Sequence, residues 1–434
     1  MLDSHDPLIA LADTINWGIF DESFAKYYSD DGRPAKPIRL MVGLLLLKQL
    51  ENLSDENIVL QWKRNPYYQY FCGMTEYQPA LPCDPTDLVY FRKRIGTEGV
   101  EQLFSMSVSL HGKDAEEKQV IIDTTVQEKN VTYPTDGKLA IKMIHQLHRI
   151  AKEEGIQLRR TYVKEIKGHR ISLRFFRHPK KIKKARSAMK RLKTIVGILI
   201  RDISRNLTEE QLSKHRETFD LFTKVTSQQM KDSNKVYSLH ESHIYAIAKG
   251  KDHKKYEYGT KASLVTTMKS NIIIGVTAHQ KNEHDSKTLE AALSSANKHR
   301  TKPIIEAICD RGYRGKKEVD GTVICIPDSP KKRDTKYQKE QKRKKFRRRA
   351  AIEPIIGHVK SDHRMQRNYL KGFVGDEINL LLAATAFNLK KWMNNFLSVL
   401  FLYKILLLGI ILQKIEAKKR RKYADLYLIW FSVW

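Results

Sequence analysis

A chain of 434 residues is long enough for two or three domains with real cores. Its 79 Lys and Arg against 49 Asp and Glu leave a net charge of +30, which argues for a polyanionic partner, nucleic acid first and a membrane surface second. The four cysteines (Cys72, Cys83, Cys309, Cys325) have neither Cys-x-x-Cys nor zinc-site spacing and read as free thiols in a reducing cytosol. The first forty residues carry seven acids and no apolar run, so no secretory leader is expected.

Residues 1–112 read as a helical module. The run from Ile38 to Leu50 is apolar enough for a buried helix, and Ser54 is placed to cap a second helix that Asn65-Pro66 ends. After a turn-rich stretch at 78–85, Thr86 is placed to cap a third helix carrying Arg92, Lys93 and Arg94. Short helices with a basic last member suit a helix-turn-helix DNA reader; a packing module with a solvated basic edge is the equal alternative.

Residues 118–126 form an apolar strand with Asp123 in its middle, a costly placement unless the carboxylate meets a cation. From 139 to about 225 the chain turns helical and basic, with nine Lys or Arg and no acid over 177–193. This is either a solvated face or one that tracks phosphates, and the overall charge favours the second. Residues 236–239, 262–267 and 271–277 are rich in β-branched residues and read as strands, the last two as a hairpin. An amphipathic helix follows at 286–298, then a strand over 303–310 that ends on Asp310, with Gly312 allowing a tight turn, and a short strand at 323–327.

Residues 331–349 hold 12 Lys or Arg against two acids. Free, such a segment would be disordered or a self-repelling arm; on DNA it would neutralise phosphates. It leads into Arg347, Arg348, Arg349, Glu353 and Lys360. On one helix Arg349, Glu353 and Lys360 would share a face, but Pro354 sets Glu353 at a helix start and leaves Arg349 in the preceding segment. A surface ion pair is the plain alternative.

Two strand-borne acids and one helix-borne acid, Asp123, Asp310 and Glu353, form a set that can hold a pair of Mg²⁺ ions (Mn²⁺ substituting) for phosphoryl transfer. The order strand, hairpin, helix, strand, strand, helix is that of a ribonuclease-H-like α/β fold. The expected organisation is an all-α, helix-turn-helix-like domain over 1–112, a ribonuclease-H-like catalytic domain over 113–395 with a helical basic insertion at about 127–258, and a hydrophobic and basic tail over 396–434.

The chain resembles bacterial insertion-sequence transposases of the DDE type, in the insertion sequence five family, over roughly 35–395. The resemblance is carried by Arg33-Pro34-Ala35-Lys36-Pro37 and the leucine run, Tyr90-Phe91-Arg92-Lys93-Arg94-Ile95-Gly96, and Ile122-Asp123-Thr124-Thr125-Val126-Gln127-Glu128-Lys129-Asn130. It continues in His253-Lys254-Lys255-Tyr256-Glu257-Tyr258-Gly259, Asp310-Arg311-Gly312-Tyr313-Arg314-Gly315, and Glu353-Pro354-Ile355-Ile356-Gly357-His358-Val359-Lys360 with Asp362-His363-Arg364-Met365. The resemblance implies that Asp123, Asp310 and Glu353 are the catalytic, metal-binding triad, that Arg349 and Lys360 with Arg347 and Arg348 hold phosphates, and that the N-terminal helices bind terminal inverted repeats. Related families have a tyrosine three residues before the arginine; here it is Phe346.

The implied activity is hydrolysis at the element ends and joining of the 3′-hydroxyls to double-stranded target DNA by a homodimer in the bacterial cytoplasm, at the nucleoid, with no small-molecule cofactor. The rivals are a transposase-derived DNA-binding protein that no longer cuts, a ribonuclease-H-like nuclease without strand transfer, and a basic membrane-associated protein. The last rests on the apolar run 396–412, where Lys404 near the centre is costly in lipid.

Overall fold

The computed structural model describes residues 2–28, 35–229, 231–248, 255–326 and 331–431, with the backbone alone for Leu407 and 409–431. Arg33, Pro34, His253 and Lys254 of the sequence motifs lie outside the described residues.

Six helices open the chain: α1 (Pro7–Thr14), α2 (Gly18–Ala25), α3 (Ile38–Leu50), α4 (Asp55–Arg64), α5 (Pro66–Phe71) and α6 (Pro85–Ser109). α3 is buried continuously from Leu40 to Leu50, as its unbroken apolar run requires. The Ser54 side chain caps α4 by accepting from the Asn57 amide at 3.1 Å. The expected cap of α6 is corrected: Asp84, not Thr86, does this work, in a capping box with Asp87 and with Pro85 in the first turn. α6 runs on to Ser109 through Gly96, whose φ of 60° and ψ of −162° break the helix at a conformation that favours glycine.

The sheet follows. β1 (Gln119–Glu128) precedes an excursion of four helices, α7 (Asp136–Glu153), α8 (Val163–Ser172), α9 (Ile182–Asn206) and α10 (Glu209–Ser227). The chain then returns as β2 (Tyr245–Ala248), β3 (Tyr256–Thr267), β4 (Ile273–His279), α11 (Asp285–Asn297), β5 (Glu306–Ile308), β6 (Glu318–Val319) and β7 (Thr322–Cys325). The strand order is β2-β3-β1-β5-β7-β6, with β4 also on β3. β3 is antiparallel to β1, β2 and β4, while β1, β5 and β7 run parallel. The strand expected at 236–239 is not there: the Gln228 side chain donates to the Val236 carbonyl at 3.2 Å and accepts from its amide at 3.0 Å, taking both backbone groups that a neighbouring strand would need.

Three helices close the chain: α12 (Lys336–Arg349), α13 (Ile352–Ser361) and α14 (Gly372–Phe431). The basic segment is therefore a helix rather than a free arm; Thr335 and Gln338 form its capping box, and Lys345 reaches Glu306 on β5 at 2.5 Å. One continuous core joins α1–α6 to the sheet, α11, α13 and the first part of α14, while the insertion helices have a core of their own around Leu147, Leu192, Leu199 and Phe222. The apolar run from 396 continues α14 without a break, and Phe401 and Leu406 in it are about two-thirds exposed. Among the described residues no helix is long and apolar enough to cross a membrane.

Candidate active site

β1 lies between β3 and β5. Its parallel pairing sets Gln119 beside Glu306, Val120 beside Ala307 and Ile121 beside Ile308. Asp310 follows two residues after the last pair, past the end of β5, where it caps the turn Arg311–Tyr313. Although 187 positions apart in the chain, Asp123 and Asp310 both bear electrostatically on the buried Cys309. Asp123 accepts from the Thr124 amide and Asp310 from the Gly312 amide, both at 2.8 Å, and the second bond closes the short turn Arg311–Tyr313.

The structure adds an acid that sequence reasoning missed. Asp285, the first residue of α11, accepts from the Thr124 hydroxyl at 3.0 Å and from the Lys261 ammonium at 2.9 Å. A Cβ on residue 312 would lie 2.9 Å from an oxygen of Asp285 and 2.9 Å from one of Asp310, so the bare Gly312 is what lets these two carboxylates approach the same turn. Gly312→Ala is expected to lower DNA cleavage at least tenfold, because the turn must shift, while overpacking costs only about 1–3 kcal/mol of stability. Cleavage rate and thermal melting measured together check this, and an unimpaired rate would show that the close approach has no part in the chemistry.

Behind the acids lies Tyr313, wholly buried, its hydroxyl without a hydrogen-bond partner among the described residues. Burial first, then Asp123, Cys309 and Asp285, push its ionisation well above the usual tyrosine range. Cys309 is also fully buried, and burial followed by Asp310 and Asp123 holds it firmly as the thiol. Neither group is a nucleophile in this setting.

Glu353 is the second residue of α13, with Pro354 in the first turn as expected. α13 turns Ile352, Ile355 and Val359 into the core and packs against β1. The Glu353 side chain is 61% exposed and pairs with Arg349 at 3.2 Å across the junction between α12 and α13. Arg349 also lies over the Phe346 ring at 6.0 Å. Among the described residues, no three His, Cys, Asp or Glu side chains converge closely enough to hold a metal ion.

Of the cations expected at DNA, Arg347, Lys93 and Arg94 are exposed and Lys360 is half-buried. Two others face inward. Arg348 donates to the carbonyls of Met268 and Lys269 and to the Asn271 side chain, fastening α12 to the β3–β4 hairpin. Arg92 is 4% exposed and grips both oxygens of Asp55, at 2.8 and 2.6 Å. Burial alone would raise Asp55, but Arg92 and Lys48 outweigh it and hold the carboxyl at about 2. Arg92, expected among the DNA-binding residues of the N-terminal helices, is thus a buried staple, while Arg348, expected at phosphate, is half-buried and engaged by the hairpin.

Fold and site together define an α/β protein with carboxylates at the centre of its sheet and a strongly cationic surface. Residues 1–94 match the family model of a transposase domain and residues 223–389 that of the transposase DDE domain, so Asp285, Asp310 and Glu353 fall within a matched segment and Asp123 between the two. Over 183 residues the chain is 39% identical to an uncharacterized protein, ORF8 in the nfe locus of Rhizobium meliloti, covering 41% of this chain and 88% of that protein. No solved structure matches. The chain belongs to the DDE transposases of insertion sequences.

Proposed function

We propose that this protein cuts DNA at the ends of its own element by hydrolysis and joins the freed 3′-hydroxyls to target DNA, using a ribonuclease-H-like catalytic domain over 113–395. The observation that supports the reading is the parallel pairing of β1, which carries Asp123, with β5, which leads into the turn capped by Asp310. The antiparallel run β1-β3-β4, followed by α11 and the parallel β5 and β7, supports the fold assignment. The four-helix insertion and the N-terminal helices over 1–112 would track phosphates and the inverted repeats, with Lys93 and Arg94 at the surface of α6.

Carboxylate oxygens are the donors that Mg²⁺ or Mn²⁺ prefers, but in the structure described here Asp123, Asp310 and Glu353 do not converge on one point. Asp123 and Asp310 would hold it, with Glu353 completing the shell. The bound metal would activate the attacking water or 3′-hydroxyl and stabilise the leaving oxygen. Arg349 has two roles in sequence: it holds Glu353 in the structure described here, and it turns to a DNA phosphate when the element end arrives, freeing the carboxylate. Lys360 holds a flanking phosphate from the same helix. Two ends must be handled together, so the working form is a homodimer on DNA in the bacterial cytoplasm.

The test is cleavage of a labelled duplex carrying the element's ends with Mg²⁺ or Mn²⁺, comparing the wild type with Glu353→Gln. The expected result is cleavage and strand joining by the wild type and loss of both, by roughly 10²-fold or more, in the variant. Specific binding without cleavage in either folded protein would replace this reading with that of a non-cutting DNA-binding protein.

A further inference from the structure

A cavity of about 1030 Å³ lies not at the acids but at the far end of β1. It opens between the insertion, which contributes Arg177, the start of β3, which contributes Lys255 and Tyr256, and the segment after α13, which contributes Arg367 and Tyr369; Tyr133 completes the wall. Tyr133, Tyr256 and Tyr369 are 60%, 37% and 59% exposed. Tyr258 packs edge-on against Tyr133 at 5.4 Å, Lys255 lies over the Tyr256 ring at 5.9 Å and Arg364 over the Tyr369 ring at 5.7 Å. Arg177, Lys255 and Arg367 are all exposed at the rim, whereas Lys129 on the floor is buried on Asp376.

Exposed aromatic faces ringed by cations match the two parts of a nucleotide, the base stacking on the ring and the phosphate meeting the charge. Paired bases in a duplex are stacked on each other and do not offer their faces, so the fitting ligand is an unpaired nucleotide. The volume, at the top of the ~300–1,000 Å³ range of ligand pockets, leaves room for more than one. Position agrees: the pocket residue Glu128 is five residues along β1 from Asp123, ~17 Å at ~3.3 Å per residue, or about five backbone repeats of a DNA strand.

We propose that this cavity holds one or two unpaired nucleotides of the DNA strand a few positions from the cleavage site, with their bases on Tyr256 and Tyr369 and their phosphates on Arg177, Lys255 and Arg367. The proposal rests on the reading above that Asp123 and Asp310 receive a DNA end. It adds that this end is partly opened when bound.

The experiment uses the full chain and three fluorescent duplexes of one sequence: blunt, with a four-nucleotide unpaired thymine extension, and with a four-position abasic extension carrying the same phosphates. Affinities come from anisotropy. The wild type is expected to favour the thymine extension over the abasic one by about tenfold, within the ~5–150-fold that stacking one base is worth. Tyr256→Ala/Tyr369→Ala is expected to abolish that preference and leave blunt-duplex affinity within twofold, while Tyr256→Phe/Tyr369→Phe retains it. Equal affinity of the wild type for the thymine and abasic extensions overturns the pocket assignment, as does an equal loss on all three DNAs in the Ala variant. Failure of the wild type to bind any of the three removes the DNA reading itself, an outcome distinct from the first two.

Discussion

Asp310→Asn is expected to lower strand cleavage by roughly 10³-fold or more, about 4 kcal/mol of transition-state stabilisation at 1.36 kcal/mol per decade, and to leave DNA affinity within a few-fold. The substitution is nearly isosteric and keeps an oxygen for the Gly312 amide, so the Arg311–Tyr313 turn should survive. What disappears is one of the two carboxylate charges that β1 and the turn after β5 carry. Asp123→Asn should behave in the same way from the other strand. Affinity is held by cations that neither change touches, the exposed Arg347, Lys93 and Arg94 among them. Asp285→Asn is a graded control: its carboxylate is already engaged by Lys261 and Thr124, so a smaller loss is expected there. Cleavage of labelled ends measured beside filter binding decides the matter, and cleavage within tenfold of wild type in Asp310→Asn would remove the paired-carboxylate mechanism.

Asp123 and Asp310 could be singled out because each sits in or just past an apolar strand where an unneeded charge is expensive. The hairpin was legible for a similar local reason, since 262–267 and 271–277 became β3 and β4 with little change. Most of the failures involve partners distant in sequence. Asp285 looks like any acid in a helical first turn until Lys261, 24 residues earlier, is brought against it. Arg92 looks like a surface cation until Asp55 receives it, and Arg348 until the hairpin carbonyls do. The false strand at 236–239 fails because a side chain, Gln228, supplies both hydrogen bonds. Helix α12 was different: Thr335 and Gln338 spell a capping box that was readable, but the weight of like charge argued against any ordered structure. Glu353 was placed at a helix start, yet its direction was not legible, because an ion pair across a helix junction depends on the angle between two helices.

Asp376→Ala is expected to destabilise the fold by about 3–5 kcal/mol, the largest stability loss predicted outside the active site, because it strands a buried cation. Asp376, in the first turns of α14, is fully buried and receives four donors: the Lys129 ammonium at 2.5 Å, the Thr260 hydroxyl at 2.5 Å, the Asn368 amide at 2.6 Å and the His243 ring at 2.9 Å. Lys129 is itself 2% exposed, with Glu241 at 3.4 Å as its second counter-charge. This cluster ties the end of β1 to β3, to the chain returning from the insertion and to α14. Asp376→Asn should cost less than the alanine change, since the amide oxygen can still accept one of the donors. The pH dependence has a defined sign. Burial raises the Asp376 carboxyl, but hydrogen bonding from His243 and Lys129's charge outweigh it, leaving it below the ordinary 3.8. A depressed carboxylate contributes stability that is fully present above 3.8 and is lost as the pH falls through the lower folded-state value. Wild-type stability should therefore drop below pH 4 more steeply than that of Asp376→Asn, whose amide does not titrate there. Chemical denaturation at pH 7 and across pH 2–5 reads both effects, and parallel acid limbs for the two proteins would show that Asp376 is not the carboxylate whose protonation loosens this joint.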